Sequence, residues 1–309
     1  DTPYYYQINY SQSEGRTDLF QEVDKEEKQT QICHFRSKPT ASSSEFTFLA
    51  ISDTQQMGGN GYHPRIAQAV ASRFENAKFL LTVGDLVGDG KNSENWRDYF
   101  QIAAPYLNSM VLAPVIGNHD GNLGDNVPSR YPAEFHTYFP ISQHEFFFLC
   151  SFNYSMVHFT ICDLQYASAH ELNATQLAWI EQDLQAAQSM PFRIIAFHCP
   201  VMSSGNFGDN LLLQTQLKPL LEKYHVQLVL NGHDHHYERL FSQNVTYVVL
   251  GCGGTFQDPH DILRDESQVI AFGPNFTQIT CNTTHLELQT LSLHGDLLDH
   301  YYIQAEGTE

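Results

Sequence analysis

The sequence predicts an α/β protein whose mixed β-structure is covered by helices, and three observations carry that prediction. Short apolar runs of the kind found in buried strands alternate with segments whose apolar residues recur at helical spacing. Two stretches, 145–164 and the period-two tail that turns at Gly295-Asp296, predict antiparallel hairpins set into that alternation. A chain of 309 residues, 42% hydrophobic and 13% aromatic, is also long and apolar enough for a sizeable core.

Taken in order, residues 1–44 are polar and are expected to be an extension that wraps the surface or is partly mobile, leaving 45–309 as one domain. "FTFLAIS" (46–52) predicts a buried strand that stops at Asp53, and "HPRIAQAVASRF" (63–74) a helix with Pro64 in its first turn. "KFLLTVG" (78–84) is a second strand, ending at Asp85, and 93–107 a helix capped by Ser93. "MVLAPVIG" (110–117) runs into Asn118-His119-Asp120, after which 121–142 reads as a long loop and a candidate specificity element. Beyond the central hairpin come a helix at 174–188, the strand "FRIIAF" (192–197) ending at His198, and a helix at 210–224 kinked by Pro219. "VQLVL" then leads into "NGHDHHYERL", with His233, Asp234, His235 and His236 in succession.

Charge narrows the function. Lys plus Arg number 16 against 35 Asp plus Glu, a net −19, which disfavours nucleic acid and anionic membranes as partners. No run of about 18 apolar residues predicts a membrane span. The start at Asp1 and six N-x-S/T sequons, at Asn9, Asn153, Asn173, Asn244, Asn275 and Asn282, give the expectation of a secreted, periplasmic or luminal mature chain. Six cysteines without C-x-x-C spacing argue against a zinc ribbon and permit disulfides without demanding them. "GGNG" before His63 lacks the Lys-Ser/Thr of a phosphate-binding loop.

Five strand ends carry the same chemistry: Asp53 with Gln55, Asp85, Asn118-His119-Asp120, His198, and His233 with His235. Singly, each has an ordinary reading as a helix cap, a turn residue or a satisfied core histidine. Together, at strand ends that line one crevice in open α/β sheets, they predict a metal site. Asp, Asn and His suit hard or borderline ions. His233 and His235 point the same way in extended backbone and can each reach one of two ions, which sit about 3.5–4 Å apart with a bridging carboxylate. Asp85, central in the series, is the natural bridge.

The set D-x-[HQ], G-D, G-N-H-[DE], H and G-H-x-H over residues 46–303 resembles the calcineurin-like metallophosphoesterase superfamily, and "GHDHHYER" resembles its purple acid phosphatases. The resemblance implies a four-layer α/β/β/α sandwich with the site at the strand ends. It implies that Asp53, Gln55, Asp85 and His235 surround one metal ion, and Asp85, Asn118, His198 and His233 the other. His119 would protonate or stabilise the leaving oxygen, oriented by a hydrogen bond to Asp120. Most members have His where Gln55 stands, and purple acid phosphatases have Tyr where Gly88 stands, so the tyrosinate colour is not expected and iron, manganese and zinc all stay open.

The expected activity is hydrolysis of a phosphate ester, most simply a small phosphomonoester or phosphoprotein, by a metal-bound hydroxide. A phosphodiesterase acting on nucleotides or phospholipid head groups and a non-catalytic metal-binding interaction protein are the alternatives. His236, Tyr237, Arg239, Arg130 and His136 are candidate substrate contacts. His63 reads as a surface histidine, Asp234 as a solvent-facing spacer and Cys199 as a small buried side chain.

Overall fold

The computed structural model describes residues 3–7, 9–12, 26–29, 33–36, 45–55, 61–73, 77–121, 133–144, 148–164, 172–255 and 263–305. Within 1–44 it places four short strands, β1 (Pro3–Tyr6), β2 (Asn9–Gln12), β3 (Glu26–Gln29) and β4 (Cys33–Arg36). β1 pairs antiparallel with β4, and β2 with β3, within the segment whose polar composition suggested an extension that wraps the surface or is partly mobile.

The rest is built on two mixed sheets. One has six strands, ordered β17-β16-β15-β5-β6-β7. It holds β5 (Glu45–Ile51), β6 (Phe79–Val83) and β7 (Val111–Val115) in parallel. β15 (Asn275–Asn282), β16 (His285–Ser292) and β17 (Leu297–Gln304) join antiparallel on the β5 side. The other sheet has seven strands, ordered β14-β12-β13-β11-β10-β9-β8. Here β9 (Val157–Ile161), β10 (Phe192–Ala196), β11 (Leu228–Asn231) and β13 (Val245–Leu250) are parallel. The antiparallel members are β8 (Cys150–Tyr154), β12 (Tyr237–Ser242) and β14 (Ser267–Ala271).

Alternation along the central strands shows how the layers stack. In β10, Ile194 belongs to the core between the sheets, while Ile195 belongs to a second core beneath α4 (Ala174–Ala186) and α5 (Lys218–Lys223). Leu228 and Leu230 of β11 likewise face inward and Val229 outward. α1 (His63–Arg73) and α2 (Ser93–Leu107), the crossovers of β5, β6 and β7, cover the six-stranded sheet. Between the sheets, Phe48 and Phe79 meet the ring of Phe159 edge-on at 5.2 and 5.4 Å. The architecture is the expected α/β/β/α sandwich.

Local differences have local causes. Asn92, one residue before the expected Ser93, caps α2 by accepting from the Glu94 amide at 2.9 Å. Leu213–Leu217 form a π-helical turn ahead of Pro219, which sits in the first turn of α5, where its missing donor costs no helical hydrogen bond. The loop expected at 121–142 contains a short helix, α3 (Ala133–Tyr138). All six cysteines are buried, and no disulfide occurs among the described residues.

Candidate metal centre

Every strand that carries a candidate ligand ends at the same edge of the sandwich. Asp53 follows β5, Asp85 follows β6 and Asn118 follows β7, while His198 follows β10 and the pair His233 and His235 follows β11. The exits are bent sharply. Asp53, Asp85 and His233 take left-handed backbone, with φ of +55°, +52° and +72°, a conformation costing roughly 1–2 kcal/mol per non-glycine residue. Neighbouring exits hold them there. Asp53 N donates to Gly84 O at 3.0 Å, Gln55 N to Asp85 O at 3.1 Å, and His233 N to both Asp53 carboxylate oxygens at 3.2 and 3.0 Å. Two glycines are sterically required: a Cβ on Gly84, itself at φ +89°, would overlap the His198 ring, and one on Gly117 would overlap the Asp85 carboxylate.

Two groups of side chains result, and Asp85 belongs to both. On one side, His235 Nε2 lies 3.3 Å from Asp53 Oδ1 and 3.3 Å from Gln55 Nε2, which is 3.5 Å from Asp85 Oδ2. On the other, ligand atoms of Asp85, His198 and His233 all lie within 4.8 Å of one another, and His233 Nδ1 is 2.8 Å from Asn118 Oδ1.

The donor set fits cations. His198 Nδ1 donates to the Val83 carbonyl at 2.8 Å, which fixes the ring proton there. Its Nε2 therefore offers a lone pair, 3.1 Å from Asp85 Oδ2, yet it makes no hydrogen bond and is sealed from solvent. Burial alone would make this ring less basic, but the Asp85 carboxylate outweighs burial and raises its pKa to about 10, so the pocket favours positive charge at Nε2, which either a second proton or a cation in its place can supply. Two lone-pair donors facing each other in a dry site demand positive charge between them. Gln55 Oε1 is also buried without a partner, and rotating the amide by half a turn exchanges it for Nε2 on the Asp85 side.

Some expected roles change. Asp120 does not reach His119: Oδ1 accepts from the Leu86 and Val87 amides at 2.7 and 3.1 Å, and Oδ2 from Gly117 at 2.9 Å. It ties the β6 exit to the β7 exit. His119 instead donates from Nδ1 to the Gly88 carbonyl at 3.0 Å, with Nε2 4.0 Å from Asp85 Oδ2. Asp234 is buried rather than solvent-facing, and accepts from Phe207 N at 3.0 Å. His236 is buried and pairs with Glu238 at 3.1 Å. Tyr237 and Arg239 are buried too, and both bond Asp299 of β17, so they clamp the sheets instead of facing a substrate. His63 is buried, bonded to Tyr106 OH at 2.9 Å, with its basicity lowered by burial to a pKa of about 3. It lines a cavity of about 590 Å³ between α1 and α2. His136 lies on α3, its ring edge-on to Phe148. Arg130 lies outside the described residues. Cys199 is buried, as expected.

The sequence reading passed over Phe207, whose ring lies 4.2 Å from that of His233. Its signal was modest: one aromatic between Gly205 and Gly208, nine residues beyond His198.

Fold and candidate site together have the form of a metallophosphoesterase. The calcineurin-like phosphoesterase family profile matches residues 46–237, and the chain belongs to that family. It is similar to tartrate-resistant acid phosphatase type 5 of Sus scrofa, 30% identical over 252 residues, which cover 71% of this chain and 73% of the relative. The Oryctolagus cuniculus protein of the same name is 40% identical over 89 residues, which span 29% of this chain and 27% of that relative's length. Purple acid phosphatase PPD1 from yellow lupin (Lupinus luteus) seeds shares the fold at a TM-score of 0.81 and 18% identity, covering 97% of this chain and 59% of that one.

Proposed function

We propose that the chain is an acid phosphatase-like phosphomonoesterase with two metal ions, acting on a small phosphorylated molecule or a phosphoprotein. The observation that supports this reading is the position of Asp85, shared between the Asp53–Gln55–His235 group and the Asn118–His198–His233 group. Iron, manganese or zinc held there would supply Lewis acidity at the phosphoryl oxygens and lower the pKa of the attacking water.

The protein's own part is positioning. Gly88 O holds the Nδ1 proton of His119 and directs Nε2 into the site, where a protonated ring can donate to the departing alkoxide. Asp85 Oδ1 accepts from His119 N at 2.8 Å, so the same carboxylate that joins the two groups also registers the acid against them. Asp120, by gathering three backbone amides, keeps the exits of β6 and β7 at fixed separation.

The test compares phenyl phosphate with diphenyl phosphate across pH, alongside metal analysis by plasma emission. The monoester is expected to be the better substrate, and Asn118→Ala and His198→Ala are expected to lose metal and turnover. Faster diester turnover would reassign the reaction. Full metal content and turnover in both variants would sink the site.

A further inference from the structure

The loop after His198 is held unusually firmly for a connection. Ser204 donates from its amide and its hydroxyl to the two carboxylate oxygens of Glu238, at 2.8 and 2.7 Å. Asp234 accepts from the Phe207 amide, and Gly205 packs so closely on Asp234 and His236 that a Cβ there would overlap them. Glu238 and Asp234 are themselves 0% and 1% exposed. Both belong to the segment that carries His233 and His235. The loop and the candidate ligands are therefore tied to one another by buried contacts.

What this loop presents is Phe207. A lone exposed apolar side chain is ordinary on a protein surface. Phe207 differs in placement: 62% exposed, it lies tilted by 33° against His233, whose ring also meets that of His198. Its backbone cannot swing away without breaking the Asp234 bond. The rest of the centre is carboxylate, imidazole and amide, which would hold cations for a phosphoryl group but offer little that tells one attached alcohol from another.

The geometry points to an aryl-binding subsite: Phe207 receives the planar ring of a phosphate monoester whose alcohol is a phenol, while the metal ions hold its phosphoryl group. This substrate class rests on the phosphomonoesterase reading above. A ring-on-ring contact gives an aryl ester an advantage that a flexible alkyl ester of similar size cannot match.

The experiment measures kcat/KM for phenyl phosphate and for glycerol 2-phosphate in the wild type, Phe207→Ala and Phe207→Tyr, with metal content determined for each. Phe207→Ala is expected to cut the phenyl-to-glycerol ratio about 5-fold, which is about 1 kcal/mol at 1.4 kcal/mol per tenfold. Phe207→Tyr is expected to keep the ratio, with metal content unchanged in both. An unchanged ratio in Phe207→Ala, or an equal fall for both esters, overturns the subsite. Calorimetric binding of phenylphosphonate and methylphosphonate to the metal-loaded protein separates this from failure of the hydrolytic reading. If the wild type turns over neither ester, that reading falls, yet a phenyl preference in binding that Phe207→Ala abolishes still upholds the subsite. No phenyl preference in wild-type binding overturns it.

Discussion

Replacing Tyr237 by Phe separates a clamp from a substrate contact. The Tyr237 hydroxyl donates to Asp299 Oδ2 at 2.7 Å, and the same oxygen accepts from Arg239 Nε at 2.7 Å, with Arg239 Nη2 3.2 Å from Oδ1. All three side chains are buried, and they join β12 of one sheet to β17 of the other. A hydrogen bond to a charged group contributes about 1.5–3 kcal/mol. Because Arg239 still pairs with Asp299 in the variant, the low end applies, so Tyr237→Phe is expected to cost about 1.5 kcal/mol. At roughly 2 °C per kcal/mol for a domain of this size, Tm falls by about 3 °C. Asp299→Asn leaves the Arg239 charge buried without its partner and is expected to cost about 3–5 kcal/mol. In the Asp299→Ala background Tyr237→Phe should cost almost nothing, since the partner is already gone. Thermal unfolding and kcat/KM are measured together on each protein. Unchanged Tm with a several-fold rise in KM for Tyr237→Phe would refute the clamp and return Tyr237 to the substrate pocket.

Two further outcomes are expected. Asp183 accepts from His158 Nε2 at 2.9 Å, Ser151 Oγ at 2.6 Å and Thr160 Oγ1 at 2.7 Å. Burial alone would raise its pKa, but these bonds outweigh burial and hold it below the usual 3.8. A carboxyl depressed on folding stabilises the native state above its unfolded pKa and loses that contribution as pH falls through its folded value. Asp183→Asn is therefore expected to lower stability by about 2 kcal/mol at neutral pH and to flatten the urea-measured loss below about pH 4; an equally steep acid limb in the variant removes Asp183 from that role. When the chain is expressed through a glycosylating secretory pathway, peptide mass spectrometry should find glycan at the exposed Asn153, Asn173 and Asn244. Asn275, buried with Nδ2 bonded to Gly273 O at 2.9 Å, should stay unmodified.

The candidate centre was legible because its residues are written at strand ends, each next to an apolar run that gives away the strand. Gly84 and Gly117 even recorded the steric crowding that the folded site imposes. What could not be read was which way a polar side chain turns once two distant segments meet. Asp234 sits between two histidines in sequence, but its partner Phe207 N is 27 residues away. Tyr237 bonds Asp299, 62 residues on, through the packing of one sheet on the other, which periodicity does not specify. The family resemblance implied that Asp120 bonds His119, yet backbone amides of two turns competed for the carboxylate and won. β12 was hidden because its first residues belong to the ligand motif, so chemistry masked a strand.

The candidate ligands come from both sheets: Asp53, Gln55, Asp85 and Asn118 follow strands of the six-stranded sheet, and His198, His233 and His235 follow strands of the seven-stranded one. The two sets close to about 3 Å at the rim, with Asp85 Oδ2 3.1 Å from His198 Nε2 and Asp53 Oδ1 3.3 Å from His235 Nε2, while the sheets behind them are packed through Phe48, Phe79 and Phe159. The donors that converge at the rim are thus carried on separate sheets whose seam is aromatic. A change of volume at Phe48, Phe79 or Phe159 would be felt at the rim through the sheets, although none of the three has a donor atom to offer.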